Sequence, residues 1–237
     1  MTDVFVGATA EEASVEAARR ILAAITEARE ARGAAHIALA GGGTPKRAYE
    51  LLAAELDDWS AVEIWFGDER AVGAQDPESN YKMLKEALMA AGGPDPANVH
   101  RCEGELGAEA AASAYAELIA ERIPEGEDGL PVLDLAFQGL GPDGHTASLF
   151  PGNPGLDAAG ICAPIHNSPK PPPDRITMTL ELLRAARGIL FMATGQTKAA
   201  PAKALLGPPD RAVPASLLGG ERTVLVADAA ALPDHAT

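Results

Sequence analysis

Asp143, Gly144 and His145 stand together in "GLGPDGHTASLFPG", residues 139–152, directly after the apolar run "LDLAFQ" at 133–138. An imidazole presented on a glycine-rich turn can take a proton from water near neutral pH. From local context the ring serves either as such a general base or as a hydrogen-bonded structural histidine. "TASLF" reads as the first turn of a helix, whose positive end would keep the imidazole neutral. Asp143 either braces the ring or simply forms the turn. The other four histidines, His36, His100, His166 and His235, lack a comparable setting and are read as structural or exposed.

Three further stretches could hold an anion. In "GGGTP", Gly41, Gly42, Gly43 and Thr44 allow backbone N–H groups to converge on one concavity ahead of a helix, although a tight strand-to-helix turn would look the same. The stretch lacks the third glycine of a dinucleotide fingerprint and the GK[ST] of a phosphate-binding loop. "GDERAV" places Asp68, Glu69 and Arg70 beyond an apolar run, where a guanidinium suits a bidentate grip on phosphate or carboxylate. "PKPPPDRITMT" carries Lys170 and Arg175 around rigid prolines, and Lys198 follows Gly195. Each cation alone is a solvated surface charge; together they would give an acidic protein one place to hold an anion.

Several chemistries are argued against. HExxH and metal-spaced Cys/His clusters are absent, so no metal site is expected. With no GxSxG elbow, a covalent acyl-enzyme is not expected either. Cys102 and Cys162 are the only cysteines and form no CxxC pair, which suits two reduced structural thiols.

The elements that must position these groups alternate along the chain. Apolar spacing predicts a helix over 11–32, with Val15, Ala18, Leu22, Ile25 and Ala28 on one face. Strands are expected at 36–40, 62–66, 133–138, 188–194 and 223–227, and helices within 46–56, 80–91, 108–122, 179–187 and 198–206. Thr44 is the expected N-cap of the second helix, with Pro45 at its first position. "ICAPI" and "RITMT" are apolar strand candidates flanking the stiff loop "SPKPPP". This alternation means a mostly parallel sheet covered by helices on both faces, in a single α/β domain over 1–237. Ligands bind beyond the carboxyl ends of such strands. "GGGTP", "GDER", "GLGPDGH" and "GQTK" each follow a strand there.

The formal charge of −15 opposes a nucleic-acid or acidic-membrane partner. It leaves room for a small anionic substrate held by a few concentrated cations. No run is apolar and long enough for a membrane helix, and "MTDVFVGATAEEAS" does not read as a secretory signal, so cytoplasm is the default expectation. No exposed apolar stripe stands out, which makes monomer the default.

Taken together, "LAGGGTPKRAYELL", "WFGDERAVGAQDPESNYKMLKEAL", "GLGPDGHTASLFPG" and "SPKPPPDRITMTLELLRAAR" resemble the 6-phosphogluconolactonases over about residues 36–227. The resemblance implies a three-layer, doubly wound fold of the NagB/RpiA-like kind. It implies hydrolysis of 6-phosphoglucono-δ-lactone in the oxidative pentose phosphate pathway, with no required cofactor. It also implies that His145 is the general base and Arg70 an essential cation. Gly41, Gly42, Gly43, Thr44, Asp68, Asp143, Gly144, Arg175 and Lys198 would line the substrate site. The related glucosamine-6-phosphate deaminases typically have "DEY" at 68–70 and "DGHIAFNEP" from 143. This chain has "DER" and "DGHTASLFP", siding with the lactonases at both. Gly43, where Ser is frequent, and "LAFQGLG", where more aliphatic residues are usual, are small departures. Glucosamine-6-phosphate deamination and a non-catalytic sugar-phosphate sensor are the alternatives. A sensor of that kind would usually carry a basic DNA-binding helical domain, for which this acidic chain has no room.

Overall fold

Alternation of apolar side chains with a period of two lets one strand feed two cores, and the central strands here do so. In the computed structural model, which describes residues 1–235, the first half of the chain runs β1 (Asp3–Gly7), α1 (Ala10–Arg32), β2 (Ala35–Leu39), α2 (Lys46–Glu55), β3 (Val62–Phe66), β4 (Asp68–Arg70), α3 (Asn80–Leu84) and α4 (Ala108–Arg122). It continues through β5 (Leu135–Gly139), β6 (Cys162–Ile165), β7 (Arg175–Met178), α5 (Leu180–Ala185), β8 (Gly188–Ala193), α6 (Ala199–Leu205) and β9 (Thr223–Asp228). Six strands form a parallel sheet in the order β1-β9-β8-β5-β2-β3, and β4, β7 and β6 form a small antiparallel one.

On β8, Ile189, Phe191 and Ala193 enter one core with Ile119 of α4, Leu183 of α5, Leu205 of α6 and Ile176 and Met178 of β7. Leu190 and Met192 enter the other, with Ile21 and Ile25 of α1 and Tyr49 and Leu52 of α2. Each fully buried side chain of this size contributes about 1.5–3 kcal/mol. The result is the expected three-layer, mostly parallel α/β fold. The chain steps outward from β2 to β3, then returns to place β5 on the other side of β2. The loops after β2 and β5 therefore diverge from a topological switch point, where a crevice must open.

Four local features differ from the sequence reading. β1 adds an edge strand, paired along β9, that the reading did not single out. "DER" is strand β4 rather than loop, because Asp68, Glu69 and Arg70 pair with Thr177, Ile176 and Arg175 of β7. α2 begins at Lys46 behind Pro45, with no side-chain cap bond, so the expected Thr44 cap is not made. No helix follows His145: Ala147 has φ 48°, and Leu149 N donates to Thr146 O at 2.9 Å across a tight turn. Tertiary bonds outcompete the helix there. Thr146 Oγ1 donates to Gln138 Oε1 at 3.2 Å, and Ser148 Oγ donates to Asp68 Oδ2 at 2.5 Å.

The end of β3 is fixed by Tyr115 of α4. Its buried hydroxyl accepts from Phe66 N at 2.8 Å and donates to His100 O at 3.1 Å. Tyr115→Phe strands both backbone groups, and a loss of about 1–3 kcal/mol is expected in urea unfolding. An unchanged unfolding midpoint would show that this clamp contributes nothing.

Candidate active site

The loops beyond β2, β3 and β5 and before α6 enclose a cavity of about 270 Å³. Gly41, Gly42, Gly43 and Thr44 form one wall, and Asp68 and Arg70 a second. His145, Lys170, Arg175 and Lys198 close the rest. Four cationic side chains thus line the cavity against one carboxylate, in a chain whose formal charge is −15. Among the described residues, no group of three His, Cys, Asp or Glu side chains could hold a metal ion.

His145 is built into its position. Its Nδ1 lies 2.5 Å from Asp143 Oδ1, and its ring stacks on Phe150 with centroids 4.5 Å apart. Gly141 N donates to His145 O at 2.8 Å, folding the loop back on itself. A Cβ on Gly141 would sit 1.9 Å from His145 Nδ1, so no other residue admits the ring. Burial pushes the His145 pKa below its ordinary value, against the bond and charge of Asp143, with the nearby Lys170 ammonium lowering it further. Desolvation, rather than the expected helix terminus, is what favours the neutral ring. Burial raises the Asp143 carboxyl, but the bonds and charges of His145 and Lys170 outweigh it and bring the pKa to about 2. Asp143 touches the ring from behind rather than lining the cavity, and Gly144 stands off it, with φ 83° and packed on Val213.

β4 presents Asp68 and Arg70 to the cavity and turns Glu69 the other way. Asp68 accepts from Ser148 Oγ and from Asn80 Nδ2 at 3.1 Å. Arg70 donates to Glu78 O. Glu69, 2% exposed, accepts from Ser79 Oγ at 3.1 Å, Asn80 N at 2.7 Å and Tyr81 N at 2.8 Å, and so anchors the start of α3. Lys198 donates to Leu140 O at 2.6 Å, and burial lowers its pKa. Arg175 spends its guanidinium on the protein. It reaches Pro172 O at 3.1 Å, Pro171 O at 3.1 Å and Lys170 O at 3.2 Å, and lies 3.9 Å from Asp68.

Asn80, Gln138 and the position of Lys170 against His145 were not foreseen. The "SNY" stretch was the available signal for Asn80. Nothing local ties Lys170 to a ring 25 residues away. Arg70 Nε, Asn80 Oδ1 and Gln138 Nε2 all belong to cavity-lining residues and are buried without a hydrogen-bond partner. Unpaired polar atoms of this kind cost stability and gather where a ligand is to be met.

A carboxylate-paired imidazole thus stands beside a pocket lined by four cations at the carboxyl edge of a parallel sheet in an α/β fold. Residues 8–226 match the family model of glucosamine-6-phosphate isomerases and 6-phosphogluconolactonase, and the chain belongs to that family. It is 40% identical over 228 residues to a 6-phosphogluconolactonase of Streptomyces coelicolor, covering 91% of this chain and 87% of the relative. The solved structure of 6-phosphogluconolactonase from Trypanosoma brucei is 28% identical, with a TM-score of 0.85 over 100% of this chain and 99% of that one. A monomeric glucosamine-6-phosphate deaminase of the NagB superfamily, at 24% identity and a TM-score of 0.81 over 97% and 98% of the two chains, shares the fold.

Gly141→Ala is expected to drive the imidazole off Asp143 while leaving the fold intact. The check is the NMR resonances of the His145 ring, which should move to those of an unpaired histidine with the far-UV circular dichroism unchanged. Unaltered ring resonances would mean that the loop yields instead of the ring.

Proposed function

We propose that this chain hydrolyses 6-phosphoglucono-δ-lactone to 6-phosphogluconate. The observation that carries the reading is His145, paired to Asp143 and facing a pocket lined by Arg70, Lys170, Arg175 and Lys198. Family membership and the lactonase relatives support it.

With Nδ1–H directed at Asp143, the lone pair of His145 Nε2 is free for a water molecule. That nitrogen takes a proton as the water oxygen adds to the lactone carbonyl, with no covalent enzyme intermediate. Negative charge develops on the carbonyl oxygen, and backbone N–H groups of the glycine loops together with the cavity cations are the available donors. Collapse breaks the bond to the ring oxygen, which receives the proton from the imidazolium. The product is an open-chain hydroxy acid. The "GGGTP" amides, Arg70 and Lys198 hold the phosphate and sugar hydroxyls, and Thr44, freed from capping, adds a hydroxyl to the same wall. Asp68 accepts from a substrate hydroxyl, and Arg175 contributes charge and shape beneath it.

Decay of freshly prepared 6-phosphogluconolactone, followed with and without the protein beside an ammonia assay on glucosamine 6-phosphate, tests the reaction. Accelerated lactone decay and no ammonia are expected. His145→Ala should lower kcat by roughly 10²–10⁴, the range for loss of a general base, with an unchanged melting temperature. Near-normal turnover in that variant would remove His145 from the reaction.

A further inference from the structure

Lys170 reaches the catalytic pair from a different part of the chain. Its Nζ lies 3.2 Å from Asp143 Oδ1 and 3.1 Å from His145 Nδ1, while the same Oδ1 is 2.5 Å from Nδ1. An ammonium has donors and no acceptor, so with Nδ1 protonated the two nitrogens are both donors converging on one carboxylate oxygen. Their close approach is imposed by the shared acceptor rather than by attraction between them.

The placement of Lys170 is built from the backbone outward. Ser168 Oγ donates to Lys170 O at 2.9 Å, and Lys170 N lies 3.2 Å from the same hydroxyl. The carbonyls of Lys170, Pro171 and Pro172 are all held by the Arg175 guanidinium, which is itself almost wholly buried. A solvated surface lysine needs none of this support.

We propose that Lys170 is a positioning residue of this site, holding Asp143 and His145 in the arrangement in which the ring first takes a proton and then releases it. The inference rests on the base role of His145 proposed above. Lys170 works in two ways. It shares Asp143 Oδ1 with Nδ1–H, which fixes the carboxylate and the tautomer that leaves Nε2 free. It also places a positive charge beside the ring, so that the imidazolium formed by water attack is short-lived and gives its proton to the departing ring oxygen.

The groups facing the ring are Asp143 from its own loop, Lys170 from the loop before β7 and Asp68 from β4, with Phe150 against its face. Arg70, Arg175 and Lys198 line the same cavity. Of these, Asp143 and Asp68 favour the charged ring, while burial and Lys170 oppose it. Removing the ammonium must therefore raise the ring's pKa, and the base form is then reached only at higher pH.

The test compares Lys170→Met and Lys170→Arg with the parent chain in two ways: NMR titration of His145 without substrate, and kcat and KM for 6-phosphogluconolactone across pH. In Lys170→Met the His145 titration should move up by about one unit. The acid limb of kcat/KM should move with it, and activity lost near neutrality should return at alkaline pH. Lys170→Arg should restore most of the shift. Lys170→Gln serves if the Met variant melts early. A His145 titration unmoved in both neutral variants would overturn the proposal. So would a raised KM with an unmoved pH profile, which would make Lys170 a substrate grip only. A shifted titration that turnover ignores would overturn the base role of His145 and leave Lys170's hold on the pair standing.

Discussion

A guanidinium taken out of water needs acceptors for its N–H groups, and meeting that demand for Arg175 organises the site. The side chain is 4% exposed, and its donors reach three successive carbonyls of the proline loop, with Ser148 Oγ at 3.5 Å and Asp68 close by. Its face lies over Phe150, 5.5 Å from the ring centroid, and Phe150 in turn stacks on His145. One buried charge thus couples β4, the loop carrying Lys170 and the loop carrying His145. Because the charge must stay paired, these three segments cannot drift apart without a large penalty. The same charge is expensive to bury: desolvation lowers the Arg175 pKa, opposed first by Asp68.

This arrangement also reconciles an acidic protein with an anionic ligand. Most of the acidic side chains lie outside the core, some of them in exposed pairs such as Glu11 with Arg47 and Asp157 with Arg211. Such exposed pairs are screened by salt and contribute little stability. Inside the cavity the balance reverses, and the lower local dielectric makes each cation count for more than it would in water. Arg70 Nε, Asn80 Oδ1 and Gln138 Nε2 lie unpartnered around that cavity, so the site gives up some stability to keep polar groups available.

Much of this was legible in the sequence where the period was long enough to be unambiguous. Helix α1 and helix α4, and strands β3 and β8, fall where the apolar spacing predicts, and the strand-end loops meet as expected. In the small sheet, β6 and β7 coincide with the apolar candidates on either side of the proline loop, whereas the three residues of "DER" carry no visible alternation and read as loop. The helix expected after His145 failed for a different reason: Ser148 bonds to Asp68, 80 residues away in sequence, and Thr146 to Gln138 at the end of β5, while Ala147 takes a left-handed conformation. Lys170 was visible only as a charge among prolines. Its meaning depends on Arg175 folding that loop over the Asp143–His145 pair, which no local pattern encodes.

The central claim is that a half-buried, neutral His145 performs the proton transfer. Its most direct test sets two curves of the unaltered protein side by side: the NMR titration of the His145 ring and the pH dependence of kcat/KM for 6-phosphogluconolactone. The account predicts one shared ionisation, with its midpoint below the ordinary histidine value of about 6.5 because burial disfavours the imidazolium. Activity should be present above that midpoint and lost as the pH falls through it. A kcat/KM that stays flat while His145 takes up its proton would contradict the account.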